Sequence, residues 1–130
     1  MTYRTNAELV DAWHEALNAG DADRLASLSH PDVAMQGPRG AVRGREVLKE
    51  WVARANLRLE PVRRFGRDRT VVVEERATWH DTRTGEKTGE ATVATVFAVE
   101  DGLVASISRH DDLAGALKSA GLGERDRVGT

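Results

Sequence analysis

The sequence contains no cysteine, and this absence excludes disulfide bonds, thiolate metal ligands and a cysteine nucleophile. It also has no apolar run that approaches the roughly 20 residues needed to span a membrane. The first residues, MTYRTNAELVDAW, lack the basic and apolar regions of a secretion signal. We therefore expect a cytoplasmic protein that does not bind a membrane.

An excess of positive charge is also missing. The 19 lysines and arginines face 21 aspartates and glutamates, which gives a net charge of -2, so no global field attracts nucleic acid. The arginines between residues 54 and 69 form a local basic run in which Phe65 is the only aromatic residue. Such a run is typical of the solvated side of an edge strand. We predict no nucleic-acid partner.

Helical periodicity predicts four helices. Thr5 and Glu8 have the spacing of a capping box, and apolar residues then recur at helical intervals up to residue 18. Asp21 is the predicted N-cap of a short second helix. A third helix follows the glycine-rich segment 36–44, which we predict to be a loop, and a fourth covers about 113–120.

Alternation with a period of two predicts the strands. A short strand contains Val33 and Met35, and four more follow the third helix: one with Leu57 and Leu59, then 70–79, 91–100 and 103–110. The last four are joined by short turns, which favour antiparallel hairpins. We expect one domain over residues 1–130, with 121–130 as a flexible tail.

Helices followed by a strand meander indicate the α+β class. We expect a curved antiparallel sheet with the helices packed on one face, and this arrangement leaves a conical cavity between the two layers. Such a cavity is the first place to look for a ligand site.

Several segments resemble the SnoaL-like branch of the nuclear transport factor 2 superfamily, in this order: AWHEALNAGDADRLASLSHPDVAM (12–35), VRG (42–44), VFAVEDGLV (96–104) and ALKSAGL (116–122). The resemblance implies a cystatin-like α+β cone, a pocket and frequent dimerisation. Relatives include ketosteroid isomerases, polyketide cyclases, dehydratases, epoxide hydrolases and non-catalytic binding modules. Function therefore has to be inferred from the site.

The resemblance also implies an acid/base aspartate where the last strand meets the last helix, and Asp112 matches that place. His110 stands two residues earlier, where relatives commonly have tyrosine. Alternate residues of a strand share a face, so Ser108, His110 and Asp112 would lie together if that face lines the cavity. A partly desolvated carboxylate is a competent base, and a neighbouring histidine can hold a proton.

These acidic and histidine residues also have structural interpretations. Asp111 or Asp112 can cap the final helix, because aspartate is favoured at a helix N-terminus. His30, which precedes Pro31, is a candidate acid at the cavity mouth or an exposed residue at a helix end. His14 is expected at the edge of the apolar stripe of the first helix, partly exposed.

Large aromatic side chains indicate a flat, apolar ligand, although core packing explains each of them as well. The predicted substrate-binding residues are Trp13, Met35, Trp51, Trp79, Val93, Phe97 and Ser108. The four histidines lack metal-site spacing, and we predict no metal and no cofactor.

The sequence thus predicts a protein that binds an apolar, carbonyl-bearing molecule, such as a polycyclic one, and performs acid/base isomerisation, cyclisation or dehydration. One alternative is a non-catalytic binding or dimerisation module. Another is an epoxide hydrolase, for which Arg76 beside Glu74 and Glu75 is the nearest match to an arginine between two carboxylates. We also expect a homodimer through the outer face of the sheet, where alternate valines and threonines would otherwise be exposed.

Overall fold

The computed structural model describes residues 5–37 and 40–128. The helices are α1 (Asn6–Asn18), α2 (Ala22–Ser27), α3 (Arg45–Ala55) and α4 (Leu113–Ala120), followed by a 3-10 turn at Glu124–Asp126. The strands are β1 (Ser29–Gly37), β2 (Gly40–Arg43), β3 (Leu57–Arg67), β4 (Thr70–His80), β5 (Lys87–Glu100) and β6 (Leu103–His110).

The first two helices begin at the predicted caps. The Thr5 hydroxyl accepts a hydrogen bond from the backbone N–H of Glu8 at 3.1 Å, and the Asp21 carboxylate accepts one from Arg24 at 3.1 Å. Each side chain satisfies a backbone donor that the helix itself leaves unpaired. These two predictions are confirmed.

The six strands form one sheet in the order β2-β1-β6-β5-β4-β3. The three predicted hairpins from β3 to β6 are antiparallel, as expected, whereas β1 pairs with β6 in parallel. The predicted loop 36–44 contains β2, which pairs with the end of β1, and residues 38 and 39 lie outside the described part of the chain. Pairing with β1, rather than local β-propensity, makes this glycine-rich segment a strand.

One face of the sheet, here called the inner face, carries the main core. α1, α2 and α3 cover it, and the buried core residues they contribute are Leu9, Val10, Ala12, Trp13, Ala16, Leu17, Leu25 and Leu48. The strands add alternate residues such as Val71, Val73, Phe97 and Val99. The expected packing of helices on a curved sheet is therefore confirmed for the first three helices.

The fourth helix lies on the opposite, outer face of the sheet. Ala116 of α4 is buried against Phe65, Val72 and Ala94, and these four residues form a second core cluster. The reason is the apolar run Val71–Val73, which is buried throughout and so needs cover on both faces of β4. The expectation that all helices share one face is therefore wrong for α4.

A register shift between Pro61 and Arg63 lets β3 serve both cores. Before the shift Leu59 packs into the inner core, and after it Phe65 packs into the outer cluster. Adding one residue to a strand reverses which face the following side chains point to.

The described part of the predicted flexible tail 121–130, residues 121–128, follows the edge of β3. The Val128 N–H donates to the Arg64 carbonyl at 2.9 Å, and Arg127 forms an isolated bridge with Phe65. Leu122 packs against the outer cluster, which explains why the segment stays on the sheet. Residues 129 and 130 lie outside the described part of the chain.

Within the residues that the structure describes, none of the helices has the length and apolar character needed to cross a membrane.

The position of α4 makes a matched pair of substitutions informative. Ala116→Asp would place an unpaired charge between α4 and the sheet and should lower the free energy of unfolding by about 3 to 5 kcal/mol. Ala114→Asp, on the exposed side of the same helix, should change it by less than about 0.5 kcal/mol. Urea denaturation followed by circular dichroism measures both; equal stability of the two variants would contradict this packing.

Candidate functional site

The predicted catalytic aspartate at the end of β6 caps a helix. Asp112 is exposed and is the N-cap of α4, where its Oδ1 accepts a hydrogen bond from the Gly115 N–H at 2.7 Å. Asp111 beside it is also exposed. The structural interpretation of the acidic pair is thus confirmed for Asp112, and its catalytic role stays a prediction.

Ser108 and His110 lie on the outer face of the sheet. Ser108 is the cross-strand partner of Val96 and His110 that of Ala94, and both of these β5 residues belong to the outer cluster. Directly opposite residues in a sheet share a face. The two predicted site residues are close together, with 3.4 Å between the Ser108 Oγ and the His110 Nε2, but they do not share a face with Trp13 and Phe97.

His30 also faces away from the main core. It lines a shallow recess of about 330 Å³ on the outer face, together with Asp32, Arg43, Glu100 and a floor of small residues. The Asp32 N–H donates to its Nδ1 at 3.2 Å. The structure thus brings none of the three predicted catalytic residues onto the inner face.

The predicted substrate-binding residues on the inner face divide into two groups. Trp13, Val93 and Phe97 are buried in the main core, and the Trp13 and Phe97 rings meet edge to face at 5.2 Å. The Trp13 Nε1 donates to the Ser29 Oγ at 3.3 Å, as a buried indole requires. Core packing is therefore the observed role of these three.

The second group keeps partial exposure. We call it the inner band, defined as the partly buried apolar residues that pack against the main core: Met35, Trp51, Val52, Trp79, Ala91 and Ile107. It includes the predicted residues Met35, Trp51 and Trp79. These side chains come from α3 and from four strands, β1, β4, β5 and β6.

A buried polar chain crosses the interior between α1 and the sheet. The His14 Nε2 lies 2.5 Å from the Glu75 Oε2, and the Thr95 hydroxyl donates to the Glu75 Oε1 at 2.6 Å. The exposure of His14 is 1%, that of Glu75 is 0% and that of Thr95 is 3%. The prediction of a partly exposed His14 is wrong, because the side chain continues the buried stripe of α1 and finds a carboxylate there.

The hydrogen bonds of His14 define how many protons the pair holds. The Nδ1 lies 2.8 Å from the carbonyl oxygen of Val10, and because a carbonyl only accepts, Nδ1 carries a proton. The contact between Nε2 and the Glu75 carboxyl group then needs one further proton. The pair holds this proton either as imidazolium facing carboxylate or as neutral imidazole facing carboxylic acid.

Two signals in the sequence point to this pair. Glu75 follows Val71 and Val73 at strand spacing, which places it on the same buried face of β4. His14 follows Val10 by four residues and precedes Leu17 by three, so it belongs to the buried stripe of α1. Periodicity alone is therefore sufficient to place both residues on buried faces.

The residues on either side of Glu75 in the sequence, Glu74 and Arg76, point to the outer face of the sheet. Glu74 accepts a hydrogen bond from the Arg63 Nε at 2.7 Å, and this bond raises the pKa of Arg63. Arg76 is exposed, and its Nη1 lies 3.7 Å from the Glu90 Oε1. The structure thus does not place Arg76 between Glu74 and Glu75, the arrangement expected of an epoxide hydrolase.

Within the described residues, no three or more His, Cys, Asp or Glu side chains lie together in a way that could bind a metal ion. Every buried side-chain nitrogen or oxygen in this part of the chain has a hydrogen-bond partner. The His14–Glu75–Thr95 chain is thus a complete network of protein groups.

The buried network makes stability depend on what replaces Glu75. Glu75→Ala leaves His14 without its partner inside the core and should lower the free energy of unfolding by about 3 to 5 kcal/mol. Glu75→Gln should cost less than about 1 kcal/mol, since its amide N–H can donate to a neutral His14 and its oxygen can accept from Thr95. Chemical denaturation with Glu60→Gln, at an exposed position of β3, as the control measures this order; equal losses for Gln and Ala would contradict it.

The chain is similar to known proteins that have the same fold. The model of the SnoaL-like domain matches residues 10–107, while no curated protein is significantly similar to the chain.

Similar solved structures include an NTF2-like protein of unknown function from Cytophaga hutchinsonii, with 17% identity over 85% of this chain and 93% of that one and a TM-score of 0.73. TerC, co-crystallised with polyporic acid, shares 21% identity over 87% of this chain and 95% of its own, with a TM-score of 0.71. A protein with a ketosteroid isomerase-like fold from Catenulispora acidiphila, in complex with trimethylamine, shares 21% over 92% and 96%, with a TM-score of 0.70.

At these identities the solved structures show a common fold and no more. The family model covers most of the chain, from within α1 to within β6. This protein belongs to the SnoaL-like family of the NTF2-like superfamily.

Proposed function

We propose that this protein binds an apolar, ring-containing small molecule on the inner face of the sheet, against the inner band. The observation that carries the proposal is the partial exposure of that band. Its apolar side chains continue a fully buried core yet keep part of their surface exposed to solvent. Binding there would remove this apolar surface from water, and each Å² removed gives a favourable transfer free energy of about 25 cal/mol.

The chemistry of the band favours a flat ligand. Trp51 and Trp79 offer aromatic faces, and Met35 offers a flexible side chain that adapts to different shapes. Two solved relatives of the same fold, TerC and the Catenulispora protein, were crystallised with small molecules. A carbonyl-bearing, polycyclic ligand and acid/base chemistry on it are the finer parts of this proposal.

A purely binding role is the second candidate. The complete pairing of His14, Glu75 and Thr95 with one another supports it, because a structural network needs no ligand. A cytoplasmic location stays a prediction from the cysteine-free sequence.

The ligand site can be tested with 1-N-phenylnaphthylamine, a neutral aromatic probe that fluoresces in apolar surroundings. Wild-type protein should bind it saturably, and Ile107→Asp in the inner band should weaken binding at least about tenfold, since the new charge must lose water under the ligand. Val62→Asp, at an exposed valine on β3, is the control and should bind normally. Equal binding by both variants, with circular dichroism unchanged, would rule out the inner band.

The proposal also includes a homodimer, with a smaller interface than expected. α4 already covers Val72 and packs against Val96, so these outer-face valines need no partner subunit. One uncovered part of the outer face is the recess lined by residues of β1, β2, β5 and β6, among them Ala98 and Ser106. We propose that a second copy docks at this recess.

Sedimentation velocity at micromolar concentration tests this interface. We expect a dimer for the wild type and a monomer for Ala98→Arg, because a long charged side chain would fill the recess. A monomeric wild type would contradict the dimer, and a dimeric Ala98→Arg would place the interface elsewhere.

A further inference from the structure

We propose that His14 and Glu75 are the proton-transfer pair of this protein and act on a ligand held against the inner band. The inference rests on the proposed function, because it needs a ligand at that band. It assigns the acid/base chemistry to the interior between α1 and β4, and not to the end of β6.

The position of Glu75 supports this assignment. Glu75 is the cross-strand partner of Val93, and two residues further along β4 Ala77 is the partner of Ala91, a member of the inner band. Two residues of a strand span about 7 Å. The carboxyl group therefore lies within one small molecule's length of the proposed ligand site.

The surroundings of the pair also favour a chemical role. Apart from Thr95, the inner-face neighbours of Glu75 on its own and the next strand are apolar: Val73, Ala77, Val93 and Ala91. Burying two ionisable groups among such residues costs several kcal/mol, and a well-packed apolar pair of similar size is often as stable or more stable. Stability is thus a weak reason to have this pair in the core.

The network leaves Glu75 able to accept a proton. Each of its oxygens accepts one hydrogen bond, from His14 and from Thr95, whereas a carboxylate offers about four acceptor positions. In the ion-pair form the remaining positions hold no hydrogen bond in the structure. Because Glu75 is fully buried, the proposed step requires the residues between it and the inner band to move far enough for a C–H bond of the ligand to reach one of these positions. Thr95 acts as a positioning residue, because its hydroxyl holds one carboxylate oxygen in place.

The reaction step balances without a cofactor. Glu75 takes a proton from the carbon next to a ligand carbonyl, the C–H bond breaks, and its electron pair forms the enolate. The Glu75 carboxylic acid is then neutral, and the His14 imidazolium balances the negative charge of the enolate. Return of the proton to the same carbon, or to a conjugated one, completes exchange or isomerisation.

Hydrogen–deuterium exchange at the α-carbon of 2-tetralone, a bicyclic aromatic ketone, tests this step by proton NMR in D2O. Wild-type protein should accelerate exchange over buffer. Glu75→Gln keeps the hydrogen bonds and the fold but has no proton acceptor, so the enzymatic rate should fall at least about 100-fold. His14→Gln, which removes the charge that balances the enolate, should lower it as well.

The controls separate this inference from the ligand site. Binding of 1-N-phenylnaphthylamine, and its displacement by 2-tetralone, should be unchanged in Glu75→Gln, and Glu74→Gln on the outer face should exchange at the wild-type rate. Wild-type protein that binds both compounds but does not catalyse exchange would overturn the proton-transfer pair and leave the ligand site standing. No binding of either compound would refute the ligand site itself. Exchange that survives Glu75→Gln but is lost in Asp112→Asn would return the chemistry to the end of β6.

Discussion

A carboxyl group and an imidazole can lie inside an apolar core only if each satisfies the other, and this requirement ties α1 to the middle of the sheet. His14 can meet Glu75 only when α1 lies across β4 with its buried stripe turned inward. Two further contacts hold the same arrangement: the Asn18 side chain exchanges hydrogen bonds with the Leu59 backbone, and Asp11 pairs with Arg64. The orientation of α1 then determines where Trp13 packs and which part of the inner face remains open.

The alternation of β4 separates the chemistry of the two faces. Glu75 points into the main core, whereas Glu74 and Arg76 on either side take part in ion pairs on the other face. The same alternation in β6 turns Ser108 and His110 away from the aromatic residues of the inner core. Among the described residues, Glu75 is thus the one buried acidic residue, whereas the outer face carries ion pairs such as Arg63–Glu74 and Arg76–Glu90.

Local signals in the sequence were sufficient for much of this fold. Thr5 and Asp21 predict where the first two helices begin, and the valine-rich pattern from residue 70 onward predicts the hairpins. Both signals are local, because helix caps and strand faces depend on residues that are close in the sequence. The parallel pairing of β1 with β6 and the position of α4 depend on contacts between distant segments, which periodicity does not encode. The family resemblance implies the cone fold and an acid/base role for Asp112. In the structure the Asp112 side chain completes a helix cap.

The sequence does not reveal the candidate site, for a different reason. A polar residue within an apolar pattern usually lies at the exposed margin of that pattern, and for this reason His14 is expected to be partly exposed. The spacing of His14 and Glu75 relative to buried neighbours is sufficient to place them on buried faces, but only the structure shows that they meet. A buried charged residue in one element therefore predicts a complementary one in another, and the search for that partner has to extend over the whole chain.

The segment 121–128 also affects how the sheet meets other chains. β3 is an edge strand, and an uncovered edge offers free N–H and C=O groups to any extended peptide. By bonding to Arg64 and bridging to Phe65, the segment occupies part of that edge. Loss of these few residues would leave more of the β3 edge open to intermolecular β-pairing, so a stretch outside the candidate site protects this strand.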